Sequence, residues 1–168
     1  MHPPILNIDA LDYTDWGDGE YFAARLGRIA SRLGARKLGY RLVILAPGKT
    51  GWPYHAHHVN EEMFFILAGR GTLRLAGERH PVRAGDVIAI PPGPDTPHQL
   101  INTSTEELRY LAVSTMEAPE VLEYPDSGKY GVMVGSAPGG DTSQRRFEVF
   151  ARREAAVDYW DGERPEEG

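Results

Sequence analysis

The chain has 168 residues, a formal net charge of −6 and no cysteine. This length suits one ordinary domain with a substantial core. The acidic balance, and aromatic residues that are not interleaved with lysine and arginine, argue against a nucleic-acid partner. Without cysteine, any bound metal must be held by nitrogen and oxygen ligands.

The first residues, MHPPILNIDALDYTDW, lack both the cationic start and the continuous apolar run of a signal peptide. The longest apolar run further along, MFFILA, is too short to cross a membrane. We therefore expect a cytoplasmic protein with no membrane partner. Residues 1–37 are expected to form an N-terminal extension of a single domain that spans residues 1–168.

A basic window follows, because no acidic residue occurs between Tyr21 and Asn60. It contains Arg25, Arg28, Arg32, Arg36, Lys37, Arg41 and Lys49. These side chains could form an anion or phosphate site, or a solvated surface that pairs with acidic residues elsewhere, and charge runs are more often solvated. Arg41 is the best-placed candidate for an anion contact, although its side chain could equally point to solvent.

The start of the basic window is ambiguous in secondary structure. Phe22, Leu26, Ile29 and Leu33 have helical spacing, whereas Gly27 and Gly34 weaken a helix. From Leu38 onward, short apolar segments alternate with glycine and proline turns, which predicts strands. The segments are KLGYRLVIL, EEMFFILA, TLRLA, RHPVR, DVIAI, HQLIN and LRYLAVS.

Many short strands without alternating helices predict an all-β sandwich or barrel. We place the barrel at about residues 38–115 and a C-terminal extension at residues 116–168. Within that extension, FEVFARREAAVDYW is compatible with a terminal strand or a short helix.

Histidines and glutamates concentrate in the segment HAHHVNEE, residues 55–62. Alternate side chains of a strand share a face, so His55 and His57 can point together into the barrel. The next strand begins at Glu62, which shares its face with the interior residues Phe64 and Ile66, whereas Glu61 points outward. Two imidazoles and a carboxylate suit a divalent first-row metal and leave positions open for water or substrate. His98, at the start of HQLIN, is the candidate fourth ligand.

The remaining polar residues near these positions are expected to have other roles. His58 lies in a loop with the opposite strand parity, and His80 lies in a hairpin, so both are expected at the surface. Tyr54 and Gln99 adjoin predicted ligands but face the other way. Asn102 is expected to bond backbone groups at the end of its strand.

Spacing in two segments resembles the two motifs of the cupin superfamily. The first is G48-x6-H55-x-H57-x4-E62-x6-G69, and the second is G85-x5-P91-x-G93-x4-H98-x3-N102. The turns before His55 and His98 are longer than is usual in the family. Within the superfamily, the chain looks like short bacterial cupins of the mannose-6-phosphate-isomerase-like, or sugar phosphate isomerase, kind.

The resemblance implies a double-stranded β-helix, that is, a cupin jelly-roll barrel with N- and C-terminal extensions. It also implies one divalent metal ion, held by His55, His57, Glu62 and His98, and a homodimer. The ligands do not distinguish Mn, Fe, Zn, Ni and Co. Because cupins have many activities, three functions stay open: an isomerase-like enzyme for a sugar or sugar phosphate, an Fe(II)-dependent dioxygenase, and a non-catalytic metabolite-binding protein. No catalytic residue is identified.

Overall fold

The computed structural model describes residues 4–163 and consists almost entirely of antiparallel β-sheet. The ends of the two predicted extensions, residues 1–3 and 164–168, lie outside this range. The strands are β1 (Tyr13–Gly17), β2 (Ala23–Arg28), β3 (Leu38–Leu45), β4 (Ala56–His57), β5 (Glu62–Ala68), β6 (Arg70–Leu75), β7 (Glu78–Arg83), β8 (Val87–Ile90), β9 (His98–Ile101), β10 (Leu108–Thr115), β11 (Glu120–Tyr124), β12 (Lys129–Val134) and β13 (Phe147–Arg152). Within residues 4–163, helical structure is limited to α1 (Ala30–Leu33) and the 3₁₀ turns Ile8–Ala10, Thr142–Gln144 and Arg153–Ala155.

The strands form two layers. One layer is a six-stranded sheet in the order β1-β2-β3-β10-β5-β8. The other consists of a three-stranded sheet, β7-β6-β9, and a four-stranded sheet, β13-β12-β11-β4. An antiparallel bridge between His55 and His98 connects these two smaller sheets. The arrangement is the double-stranded β-helix, so the predicted all-β jelly-roll fold is confirmed.

The main core lies between the six-stranded and the three-stranded sheets. Its members include Val43 and Leu45 on β3, Ile66 on β5, and Leu73 and Leu100 on the facing strands. Burying each such side chain stabilises the fold by about 1.5–3 kcal/mol. The residues of β3 with the opposite parity, such as Leu42, are also buried, in a second cluster on the outer face of the same sheet. Burial on both faces explains why LVIL, residues 42–45, is a continuous apolar run.

The N-terminal extension covers that outer face. Leu11 and Ile29 join Leu42 in the second cluster, and β2 pairs with β3. The segment from residue 22 to 33, whose apolar spacing was also compatible with a helix, is therefore mainly a strand. Its helical part is limited to the single turn α1, which ends at Gly34 in the left-handed conformation.

The C-terminal extension completes the second layer. Strand β11 pairs with β4, which aligns Leu122 with His57 and Glu123 with Ala56. Strands β12 and β13 then continue that sheet outward. The extension therefore lies directly beside the segment that carries two predicted metal ligands. Among residues 4–163, no helix has the length and apolar character needed to span a membrane.

Candidate metal centre

The structure brings all four predicted ligands together at one end of the barrel. His55, His57, Glu62 and His98 each offer one ligand atom, and these atoms lie within 4.8 Å of one another. The His55 and His57 Nε2 atoms are 3.2 Å apart. One Glu62 oxygen, Oε2, lies 2.9 Å from His98 Nε2 and 3.7 Å from His57 Nε2.

Strand pairing fixes the positions of these side chains. His55 and His98 exchange two backbone hydrogen bonds, of 3.2 and 2.7 Å, which place their rings side by side. His57 lies two residues further along and shares the inward face with His55, as the parity argument predicted. Glu62 comes from the opposite layer, at the start of β5, where it aligns with Ser114 and Ile90.

Each histidine ring is oriented by a contact at its other nitrogen. The Nδ1 atoms of His55 and His98 lie 2.8 and 3.2 Å from the carbonyl oxygens of Pro53 and Thr96. His57 Nδ1 lies 3.1 Å from a carboxylate oxygen of Glu120. Because these oxygens accept but cannot donate hydrogen bonds, each Nδ1 carries the proton. All three Nε2 atoms therefore point into the cluster, where that of His98 donates to Glu62 when it carries a proton and can bind a cation when it does not.

Glu120 contacts the cluster through His57, a contact that the sequence pattern did not indicate. Its carboxylate is fully buried and accepts hydrogen bonds only from fixed donors. Besides the His57 ring, these donors are the backbone N–H groups of His58, Val59, Asn60 and Val121, at 2.9 to 3.1 Å, and the Asn60 amide. Such a carboxylate behind a histidine fixes its orientation and makes it a stronger ligand. Glu120 lies in the C-terminal extension, outside both motifs.

Comparisons with known proteins agree with this geometry. Residues 41–114 match the family model described as Cupin domain. Residues 41–114 are therefore a cupin domain. An uncharacterised protein of Methanocaldococcus jannaschii is 40% identical over 73 residues, which are 41% of this chain and 57% of that protein. The chain thus covers less than two thirds of this relative.

Two solved structures are similar to almost the whole of this cupin. A sugar phosphate isomerase of the cupin superfamily from Silicibacter pomeroyi has a TM-score of 0.76 and 22% identity, over 94% of this chain and 98% of its own. A protein from Acidithiobacillus ferrooxidans, provisionally assigned as a sugar phosphate isomerase, has a TM-score of 0.76 and 21% identity, over 92% and 95%. At this identity the likeness shows the fold, and it extends to the arrangement of both extensions.

Burial and mutual contacts set the charges within the cluster of this cupin. Burial, together with the neighbouring His98 and His57, lowers the pKa of His55 to about 3. Burial raises the pKa of Glu62, but the His98 hydrogen bond and the nearby imidazoles outweigh it and lower that pKa to about 2. At neutral pH the cluster therefore combines a neutral His55 with an ionised Glu62, which is the state that ligands of a cation require.

The donor set fits a divalent first-row metal ion. Three imidazole nitrogens and one carboxylate oxygen are borderline-to-hard ligands, and they leave coordination positions open for water or substrate. Without a cation or additional ring protons, three lone pairs and an anionic carboxylate would repel one another inside a largely buried site. The four residues could therefore hold one metal ion, as the cupin resemblance implied.

The neighbouring polar residues are separate from the cluster. His58 is partly buried rather than at the surface as predicted, because its Nε2 lies 2.8 Å from Glu123. His80 is about half exposed, in agreement with its prediction. The Tyr54 hydroxyl accepts a hydrogen bond from the Gly77 N–H, and the Gln99 amide donates to the Trp52 carbonyl. Neither side chain contacts a predicted ligand through these bonds.

Asn102 has the structural role that was predicted for it. Its buried side chain donates hydrogen bonds of 2.8 and 2.7 Å to the carbonyls of Leu45 and Glu106. It also accepts from the Ser104 N–H at 3.0 Å. These bonds hold the turn after β9 against the end of β3.

Proposed function

We propose that this cupin binds one divalent metal ion through His55, His57, Glu62 and His98. The observation that supports it best is the orientation of the rings, because three separate acceptors direct three Nε2 atoms toward a single carboxylate. Hydrogen bonding alone would not require this convergence, since each lone pair would be better satisfied by a donor.

We further propose that the protein is an enzyme for a small oxygenated metabolite, a sugar or sugar phosphate, with isomerisation as its reaction. A bound divalent ion would polarise a substrate carbonyl and ease proton loss from the adjacent carbon. The chain itself contributes the fixed rings of the cluster and the charge of Glu62. Two full-length structural relatives named as sugar phosphate isomerases support the choice of substrate.

Ligand screening followed by proton exchange tests this proposal. The metal-loaded protein is screened by thermal shift against aldoses, ketoses, their phosphates, sugar acids and catechols, because a ligand that binds the native state raises the melting temperature. We expect hits among sugars or sugar phosphates, followed by exchange of the proton beside the carbonyl in deuterated water. Hits limited to catechols, with oxygen uptake by the iron-loaded protein, would instead indicate a dioxygenase. Sugar binding without exchange or turnover would indicate a non-catalytic binding protein.

Metal content and its pH dependence are the first prediction. Protein purified without chelator is expected to contain about one equivalent of metal per chain, and its affinity should fall on acidification because protons compete for the imidazoles. Burial lowers the pKa of His57, but the Glu120 hydrogen bond and the charges of Glu62 and Glu120 raise it above 6.5 overall. His57 therefore protonates at a higher pH than an ordinary histidine, so affinity should begin to fall earlier on acidification than it would with an unperturbed imidazole.

Elemental analysis and metal titrations between pH 5 and 8 provide the measurements for this prediction. Less than about a tenth of an equivalent of Mn, Fe, Co, Ni, Cu and Zn combined, even after reconstitution, would contradict the metal site. An affinity that stays constant across this range would contradict the proposed ligation by His57.

A homodimer is the second prediction. Strand β13 is an edge strand, and its Phe147 and Phe150 side chains are 53% and 49% exposed. Apolar edge strands are usually covered by a partner. Light scattering is expected to give about twice the 18.6 kDa chain mass. Phe147→Asp should produce a monomer, whereas Val87→Asp, at the exposed edge strand β8, should leave the dimer intact. A monomeric wild-type protein would contradict the prediction.

A further inference from the structure

Arg41 is a charged residue on the interior face of the barrel. It lies on β3 with the same parity as Val43 and Leu45, two fully or almost fully buried members of the main core. Other basic residues of the window have partners at the surface: Arg25 pairs with Glu107, and the Lys49 ammonium donates to the Glu20 carbonyl. The surface interpretation of the basic window therefore holds for these residues but not for Arg41.

The surroundings of Arg41 contain few groups that could satisfy a guanidinium. Its Cζ lies 5.5 Å from the centre of the Trp52 ring. Burial lowers its pKa, and the charges that act on it come from Glu62, Tyr110 and Arg28, with no hydrogen-bonding partner among residues 4–163. The side chain is only partly buried, so its five N–H donors remain available to water or to a ligand. Glu62, the nearest opposite charge, is already bonded to His98.

Strand register places the small side chains of β10 between Arg41 and the metal cluster. Ala112 on β10 aligns with Arg41 on one side and with Phe64 on the other, and Ser114 aligns with Gly39 and Glu62. Neighbouring strands are about 4.8 Å apart, so β3 and β5 are separated by roughly 10 Å. The Tyr110 hydroxyl lies close enough to both Glu62 and Arg41 for their charges to act on it. The separation of roughly 10 Å between β3 and β5 matches a molecule of a few carbon atoms.

We propose that Arg41 binds an oxyanion, carboxylate or phosphate, at one end of a small ligand whose oxygen-bearing other end reaches the His/Glu cluster. This inference rests on the proposed function, because it assumes that the ligand occupies the same mouth of the barrel. A planar guanidinium binds carboxylate and phosphate through paired N–H donors. The face of Trp52 holds it in place by a cation–π contact. The preferred substrates are therefore anionic sugars rather than neutral ones.

A glycine in the C-terminal extension makes room for this arginine. Gly139 lies so close to the Arg41 Nη2 atom that a β-carbon there would displace the guanidinium. Its loop is anchored by Arg145, whose Nη2 donates a 2.8 Å hydrogen bond to the Ala137 carbonyl. Gly48 provides a matched control, since both glycines have φ +75° but Gly48 has no other group within 4 Å of a β-carbon. Backbone strain should be similar in Gly139→Ala and Gly48→Ala, whereas only the first would move Arg41.

NMR of the arginine side chains tests the oxyanion site directly. In ¹⁵N-labelled protein, the Nε–H resonance that disappears in Arg41→Lys belongs to Arg41. Inorganic phosphate and acetate are titrated separately into chelator-treated protein, so that neither anion can bind to a metal. We expect a saturable shift of the Arg41 resonance. Tighter binding of phosphate would indicate a sugar phosphate, and tighter binding of acetate a sugar acid.

The variants should change binding in a defined order. Arg41→Met and Gly139→Ala are expected to weaken the preferred anion by roughly 10- to 100-fold, because charge-assisted hydrogen bonds are lost. Arg41→Lys should weaken it less, and Gly48→Ala should bind like the wild type. Arg41→Met and Arg41→Lys lack the Arg41 Nε–H resonance. Their anion binding is therefore followed through the backbone amide resonances around residues 39–42 and 110–114. Circular dichroism verifies that each variant is folded.

The anion titration of Arg41 can succeed or fail independently of the metal-binding measurement. If the wild-type protein takes up no metal but its Arg41 resonance still shifts with phosphate or acetate, the metal proposal fails and the oxyanion site stands. If metal binds normally but the Arg41 resonance does not shift, the oxyanion site is wrong. Unchanged anion affinity in folded Arg41→Met would also overturn it.

Discussion

Replacement of His57 by alanine is expected to lower metal affinity by more than about 100-fold while the barrel stays folded. Losing a partner behind a ligand typically costs 10- to 100-fold, and losing the ligand itself should cost more. Glu62→Ala should have at least as large an effect, because Glu62 supplies the only carboxylate of the cluster. The folded state should survive, because both side chains lie at the polar end of the barrel and not in the main core.

His58→Ala is the matched control for this prediction. His58 is the next residue along the chain, but its ring contacts Glu123 and is not part of the four-residue cluster. Its backbone N–H still donates to Glu120 after the substitution, because only the side chain is lost. Metal titration and thermal melting of the three variants provide the measurements. If His58→Ala loses the metal and His57→Ala keeps it, the proposed ligand set is wrong.

Local patterns predicted an all-β sandwich or barrel, and the resemblance to the cupin motifs implied the jelly roll and the set of four candidate ligands. The alternation of side chains on strands decided that His55 and His57 share a face and that Glu62, rather than Glu61, points inward. The glycine, proline and histidine positions of the two motifs then indicated the connectivity. Small differences in turn length did not alter this, because loop insertions are accommodated at the surface at little entropic cost.

Other features depend on contacts between distant parts of the chain, which parity cannot predict. Glu120 meets His57 only because β11 pairs with β4, across 63 positions of sequence. Arg41 could be assigned to a strand, but only the complete barrel shows that its side chain faces inward. In residues 22–33, tertiary pairing of β2 with β3 prevailed over a helical spacing of apolar residues.

Glu120, which the sequence did not indicate, and the glycine beside Arg41 both belong to the C-terminal extension. Glu120 begins β11, and Gly139 belongs to the loop between β12 and β13. The extension thus orients one candidate metal ligand and forms one wall around the candidate oxyanion residue. The motif region supplies the cluster, and the extension adjusts its geometry and surroundings.

Replacement of Glu120 by glutamine tests how far this extension controls the site. Each carboxylate oxygen faces three donors: Oε1 accepts from the N–H groups of His58, Val59 and Val121, and Oε2 from His57 Nδ1 and from the backbone and side-chain nitrogens of Asn60. In either orientation, the glutamine NH₂ group would point donors at donors. Leaving buried groups unsatisfied costs about 1–3 kcal/mol each. We expect the free energy of unfolding to fall by roughly 3 kcal/mol or more.

Metal affinity should fall together with stability in this variant. Without an acceptor at His57 Nδ1, the ring loses its fixed orientation, and removing such a partner typically weakens metal binding by about 10- to 100-fold. Glu123→Gln is the control, because Glu123 lies on the same strand and pairs with His58 and Arg153 at a more exposed position. Denaturant unfolding of the metal-free proteins separates stability from ligation, and metal titration of the folded variants measures ligation alone. Wild-type stability and affinity in Glu120→Gln would show that the buried carboxylate does not position His57, whereas a loss of stability at unchanged affinity would limit Glu120 to a role in folding.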